Sequence, residues 1–169
     1  MTEAGGIEME GAFQVGYVSA SREAGMKALG DLLGVGDWVT FEPEMSLDGD
    51  SGATVKVAAA FCRWGRAVLE VIEPLEGETA IFTDSISPER TLAFHHVGVR
   101  VEDLAAARDA SARAGSESVV SGHFEDQIEF AFVDARATMG HYLELVQFSE
   151  AGWGLIAGIL GDGPEGAAG

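Results

Sequence analysis

The sequence has a single cysteine, Cys62, which excludes an intrachain disulfide, a cysteine-rich zinc site and a dithiol redox pair. Cys62 ends the apolar run Val57-Ala58-Ala59-Ala60-Phe61-Cys62, the setting of a buried structural thiol. Long hydrophobic runs are also lacking. None approaches the ~18 uninterrupted apolar residues of a membrane-spanning helix, and residues 1–11 are acidic and glycine-rich where a secretory leader is basic and then apolar. The expectation is a cytoplasmic protein with no membrane partner. Basic residues are scarce: 10 Lys and Arg face 28 Asp and Glu, a formal net charge of −18. Such a field repels phosphate backbones, so nucleic acid is excluded as a partner and the charge serves mainly solubility.

What is present is a repeat. The 169 residues suit one compact domain, and its two halves share a layout. Each opens with a short strand carrying a central glycine, Phe13-Gln14-Val15-Gly16-Tyr17-Val18 and His95-His96-Val97-Gly98-Val99-Arg100. A helical stretch follows each, Arg22 to Leu33 and Leu104 to Ala114, closed by Gly34 and Gly115 where a helix C-cap belongs. Met26, Leu29, Leu32 and Leu33 give the first helix a one-sided stripe for a sheet. Strand-like segments come next: Trp38 to Phe41, Thr54 to Phe61 and Ala67 to Ile72, then Ser118 to Ser121, Glu129 to Val133 and Tyr142 to Phe148. The pattern predicts an α+β protein of two tandem βαβββ modules, residues 12–75 and 92–148, forming one cupped mixed sheet. A connector runs from Pro74 to Arg90, residues 1–11 and 161–169 read as flexible ends, and an apolar segment around Trp153, Leu155, Ile156, Ile159 and Leu160 reads as core cover.

Four polar residues interrupt the apolar strands at equivalent places: Gln14 and His96 in the opening strands, Glu70 and Glu144 in the closing ones. Alternate strand residues share a face, so Glu70 points with Val68 and Ile72, and Glu144 with Tyr142 and Val146. A solvated face would place more polar residues there. Burying a lone carboxylate costs several kcal/mol unless it is paired, and two converging carboxylates repel. One divalent cation held by Gln14, Glu70, His96 and Glu144 resolves both problems with three oxygens and one nitrogen. His95 is expected on the opposite face beneath the helix, and His123 in an exposed turn. His141 lies close enough to reach a substrate, and Trp38, Phe41, Phe61 and Trp64 are placed to wall the cup.

From Phe13 to Phe148 the chain resembles the vicinal-oxygen-chelate superfamily, which includes glyoxalase I, methylmalonyl-CoA epimerase, extradiol dioxygenases and bleomycin-resistance proteins. The resemblance rests on Phe94-His95-His96-Val97-Gly98-Val99-Arg100-Val101-Glu102-Asp103-Leu104, on Phe130 to Asp134, on Gly140-His141-Tyr142-Leu143-Glu144-Leu145 and on Val68-Leu69-Glu70-Val71-Ile72-Glu73-Pro74. It implies a glyoxalase-like fold, a homodimer and metal ligands at Gln14, Glu70, His96 and Glu144, a set similar to that of one glyoxalase I type. The implied activity is that of an isomerase, epimerase or lyase that moves a proton alpha to a carbonyl of a small-molecule substrate. Glu144 or Glu70 would be the base, the ion Zn, Ni, Co, Mn or Mg, and His141, Trp38 and Phe41 substrate contacts. A metal-free protein that binds a hydrophobic compound is the alternative. Dioxygenase chemistry is disfavoured because Gln14 stands where the first histidine of that triad would be.

Overall fold

The computed structural model describes residues 9–161. The first half runs β1 (Met9–Val18), α1 (Arg22–Leu33), β2 (Val39–Phe41), β3 (Glu44–Leu47), β4 (Thr54–Trp64) and β5 (Ala67–Gly77). A short helix, α2 (Ala80–Thr83), joins it to β6 (Ala93–Val101), α3 (Leu104–Arg113), β7 (Ser118–Phe124), β8 (Ile128–Val133), a one-turn α4 (Arg136–Met139) and β9 (Tyr142–Phe148). The chain then forms α5 (Glu150–Leu160). This is the expected α+β arrangement of two βαβββ units around a curved nine-stranded sheet.

The sheet closes on itself. Its order is β2-β4-β3-β7-β8-β9-β6-β1-β5, and β4 also pairs with β5, so β4 through β5 form a ring with an inside and an outside. The modules meet where β1 and β6 run antiparallel. On the far side closure rests on the short pairing Ser46↔His123 and Leu47↔Gly122 between β3 and β7.

Each module carries its helix on the outside. Ser21 caps α1 by accepting from the Ala24 amide, and Gly34 ends it in the left-handed region at φ 70. Leu29 of α1 packs on Ala60, Cys62, Leu69 and Val71. Leu104 and Ala107 of α3 pack on Val99, Ala131, Val133 and Leu145. Leu32 and Leu33, counted in the α1 stripe, are instead exposed.

Several elements depart from the sequence reading for local reasons. The strand expected at Trp38 to Phe41 resumes after Glu42-Pro43 as β3; both pieces lie along β4, and Pro43, lacking an N–H, interrupts the ladder. The Pro74 to Arg90 connector is not loose: β5 extends to Gly77, and α2 drives Phe82 into the core at 2% exposure. His123 lies in β7 and is exposed. β1 begins at Met9, inside the stretch read as a flexible end, while residues 1–8 and 162–169 lie outside the described residues. α5 covers the cup, where Ile156 and Leu160 pack with Phe13, Val68 and Val146. Among the described residues no helix is long and apolar enough to cross a membrane.

Candidate metal centre

The four polar strand residues converge inside the ring. Gln14 Nε2 lies 2.7 Å from Glu70 Oε2, 3.1 Å from His96 Nε2 and 3.2 Å from Glu144 Oε2. His96 Nε2 is itself 3.1 Å from Glu70 Oε2 and 3.2 Å from Glu144 Oε2. Turning the Gln14 amide over about its last torsion puts an oxygen where the nitrogen now sits.

The two repeat glycines make this convergence possible. Gly16 lies between Glu70 on β5 and His96 on β6, and Gly98 between Glu144 on β9 and Gln14 on β1. A Cβ on Gly16 would fall 2.0 Å from His96 Cε1, and one on Gly98 2.8 Å from Gln14 Cβ. Each module's glycine therefore leaves room for the other module's polar side chain.

His95 and His96 are adjacent yet their rings touch, because β6 bulges: Gly16 pairs with His96 and Tyr17 with Phe94, leaving His95 without a partner across the seam. His95 thus does not turn to the face opposite His96 as alternation predicts; it sits against the short α2, its ring 5.3 Å from that of Phe82. Its Nε2 lies 2.9 Å from the Ile81 carbonyl and its Nδ1 2.9 Å from His96 Nδ1. A carbonyl only accepts, so His95 Nε2 carries the hydrogen. Burial and the neighbouring His96 lower the His95 pKa to about 3, so its Nδ1 is a bare acceptor. His96 then donates from Nδ1, and its Nε2 faces the two glutamates.

The cluster's donors could hold a cation. Burial alone would push the His96 imidazole down, but Glu144 and Glu70 beside it hold it up, at about 10. Burial raises the pKa of Glu70, with His96 opposing that shift. Two enclosed carboxylates demand positive charge, which a proton on His96 or a divalent cation in its place provides. Ligand atoms of Glu70, His96 and Glu144 all lie within 4.8 Å of one another, and the Gln14 amide is the fourth donor. Carboxylate, imidazole and amide oxygen suit Zn, Ni, Co, Mn or Mg.

The cluster forms one wall of a cavity of about 660 Å³ within the ring, lined by Gln14, Glu70 and Glu144 among mostly apolar side chains. Of the expected substrate contacts, Phe41 and Phe61 line it. Trp38 does not: it packs on the outer face with Leu29, Ala60 and Cys62, because the short β2 turns it toward α1. Trp64 lies at an outer groove beside Val39 and Leu155. His141 Nδ1 lies 2.7 Å from the Tyr142 carbonyl and its ring sits 4.9 Å from that of Phe94, and His141 is not among the residues lining the cavity. Sequence reasoning missed Phe82, Phe130, Phe132 and Phe148 as lining residues. The shared strand face of Phe130 and Phe132 was the available signal.

Solved structures show the same fold. A methylmalonyl-CoA epimerase from Mycobacterium tuberculosis superposes with a TM-score of 0.52 at 19% identity, covering 86% of this chain and 92% of its own. A hypothetical protein from Bacillus halodurans gives 0.52 at 16%, covering 82% and 94%. A Streptomyces coelicolor methylmalonyl-CoA epimerase variant in complex with 2-nitronate-propionyl-CoA gives 0.52 at 12%, covering 84% and 99%. No curated protein matches by sequence. Residues 13–132, most of the ring and three of the four converging side chains, match the Glyoxalase/Bleomycin resistance protein/Dioxygenase superfamily, and the chain belongs to that superfamily.

Proposed function

We propose that the protein is a metal-dependent enzyme, an isomerase, epimerase or lyase, that moves a proton alpha to a carbonyl of a small organic substrate. The observation that carries this reading is the convergence of Gln14, Glu70, His96 and Glu144 on one point at the wall of a largely apolar cavity. Superfamily membership and the fold shared with methylmalonyl-CoA epimerases support it. A divalent cation bound there would polarise the substrate carbonyl and stabilise the negative charge that develops on its oxygen.

Glu144 is the base in this reading, and Glu70, Gln14 and His96 are ligands. With the Gln14 amide turned to offer its oxygen to a cation, the difference that remains is burial: the Glu70 side chain is 10% exposed and that of Glu144 17%. The freer carboxylate faces the cavity and is the better placed to lean toward a substrate. The α-carbon–hydrogen bond breaks, the proton passes to a Glu144 carboxylate oxygen and the bonding pair moves toward the carbonyl oxygen. Return of the proton to carbon regenerates Glu144. The apolar walls exclude water from the exchange.

Two measurements test this. Metal analysis after reloading should find close to one equivalent; less than about a tenth would point to the metal-free binding protein. Glu144→Gln should keep its fold and most of its metal and lose turnover, read as loss of α-deuterium washout, and unchanged washout removes Glu144 as the base. A homodimer is part of the proposal: Val39, Phe41, Trp64 and Leu155 are large exposed apolar residues around one outer groove. Sedimentation at the monomer mass of 17.7 kDa would refute it.

A further inference from the structure

The cavity's chemistry narrows the substrate. We propose that it takes an uncharged aromatic carbonyl compound and rejects anions, including carboxylates and CoA thioesters. This rests on the proton-transfer reading above and specifies its ligand.

Eight of the chain's nine phenylalanines line this one cavity. Phe82, Phe130 and Phe132 belong to one buried cluster and Phe13 and Phe148 to another, and both clusters border the same volume of about 660 Å³, the size of a small-molecule site. Phe130 and Phe132 come from β8, Phe13 and Phe148 from β1 and β9, and Phe82 from α2. Their edges and faces meet at angles such as 87° between Phe82 and Phe132 and 75° between Phe13 and Phe148. A flat ring entering this space meets both edges and faces, the two geometries in which aromatic groups attract.

The charge distribution excludes anions. Glu70 and Glu144 stand at the candidate metal centre, Glu42 and Glu44 line the cavity where β2 breaks into β3, with Glu44 accepting from Thr54 Oγ1 and facing Lys56 across the ladder, and among the described residues no Lys, Arg or His lines the cavity. The one guanidinium near that break, Arg22, is engaged with Glu23 at 3.0 Å, lies 3.9 Å from Glu42 and reaches the Phe41 carbonyl at 3.5 Å. A phosphate or carboxylate entering the cavity would find no basic partner in its lining and would enter the field of a chain of net charge −18. Inside, it would have only the cation to pair with, and that charge is already offset by two glutamates.

The test uses a matched pair of probes, propiophenone and 3-benzoylpropionate, which share a phenyl ketone and differ by a terminal carboxylate, with methylmalonyl-CoA as the thioester. Isothermal titration calorimetry is run on metal-loaded and metal-free protein, together with α-deuterium washout. Propiophenone should bind about tenfold or more tighter than 3-benzoylpropionate in both forms. Glu42→Gln combined with Glu44→Gln should narrow the gap several-fold, and Phe41→Arg, at a position 41% exposed, should narrow it further. Equal or tighter binding of 3-benzoylpropionate or methylmalonyl-CoA overturns the ligand class, as does absence of propiophenone binding up to millimolar concentration. Tight ketone binding without washout overturns the proton-transfer reading and leaves the ligand class standing. Washout from methylmalonyl-CoA with weak ketone binding does the reverse.

Discussion

Adding one methyl group at Gly16 tests the architecture of the metal centre directly. The Cβ of Gly16→Ala would sit 2.0 Å from His96 Cε1, 2.3 Å from Nε2 and 2.5 Å from Nδ1, so it overlaps the ring itself. His96 has nowhere to withdraw, being 0% exposed and tied through Nδ1 to His95. Gly16 is not among the positive-φ residues, so alanine introduces no backbone strain. Overpacking of this kind costs about 1–3 kcal/mol, whereas an unobstructed alanine in a strand is better than glycine by roughly 0.5–1 kcal/mol. The clash should dominate in the native background. With a net loss on the order of 1 kcal/mol, at about 2–4 °C per kcal/mol for a chain of this length, Tm should fall by roughly 2–4 °C, and displacement of the imidazole should weaken metal binding about 10- to 100-fold. In a His96→Ala background the obstruction is gone, so the same substitution should leave Tm unchanged or raise it. The double-mutant cycle then gives a coupling on the order of 2 kcal/mol. An equal fall in Tm in both backgrounds would refute the claim that Gly16 exists to admit His96.

Four further outcomes follow from the same geometry. Replacing His95 by Asn keeps an acceptor near the former Nδ1, while Leu removes it; metal affinity should drop about 10- to 100-fold more for Leu than for Asn, and equal losses would assign His95 to packing alone. His96→Ala should abolish stoichiometric metal binding as measured by competition with a chelator, because it removes the only nitrogen donor of the set. Ile156→Ala, at a residue 8% exposed that lines the cavity, should cost about 2–4 kcal/mol in urea unfolding; a cost under about 0.5 kcal/mol would mean that α5 does not cover the cup. Burial raises the Cys62 thiol to about 11 from an ordinary 9.0, so the stability it contributes is present below pH 9.0 and lost as pH rises through about 11. A thiol reagent at pH 8 should therefore modify denatured protein far faster than native protein, and equal rates would place Cys62 at the surface.

The module repeat and the four polar strand residues were legible because period-two alternation isolates a polar side chain against apolar neighbours. Glu70 between Val68 and Ile72 stands out in this way whatever the tertiary structure. Alternation also explains the failures. His95 was assigned to the wrong face because a bulge adds a residue to one strand only, and nothing in a single sequence marks that insertion. Trp38 and His141 each lie one residue before a strand, where the face a side chain takes depends on the turn beside it and alternation gives no guide. Phe82 was invisible because its helix has four residues, too few to show a period.

Duplication alone would yield a symmetric site, and the functional asymmetry comes from what breaks the symmetry. The seam pairs Gln14 with Gly98 and Gly16 with His96, so each opening strand offers one donor and one gap. A neutral amide on one side and an imidazole on the other distinguish the two equivalent glutamates. The amide grips Glu70 at 2.7 Å, while Glu144 keeps only contacts of 3.2 Å. The bulge at His95 and the carbonyl of Ile81, contributed by the helix that joins the modules, then fix the imidazole on one side only. Without a cation bound, this holds Glu70 and leaves Glu144 the freer of two equivalent carboxylates. Exchanging the amide and the imidazole, as Gln14→His with His96→Gln, should therefore relax Glu70 and tighten Glu144. Washout that then depends on Glu70 instead of Glu144 would support this account, and continued dependence on Glu144 would show that the surrounding cavity, rather than the donor set, selects the base.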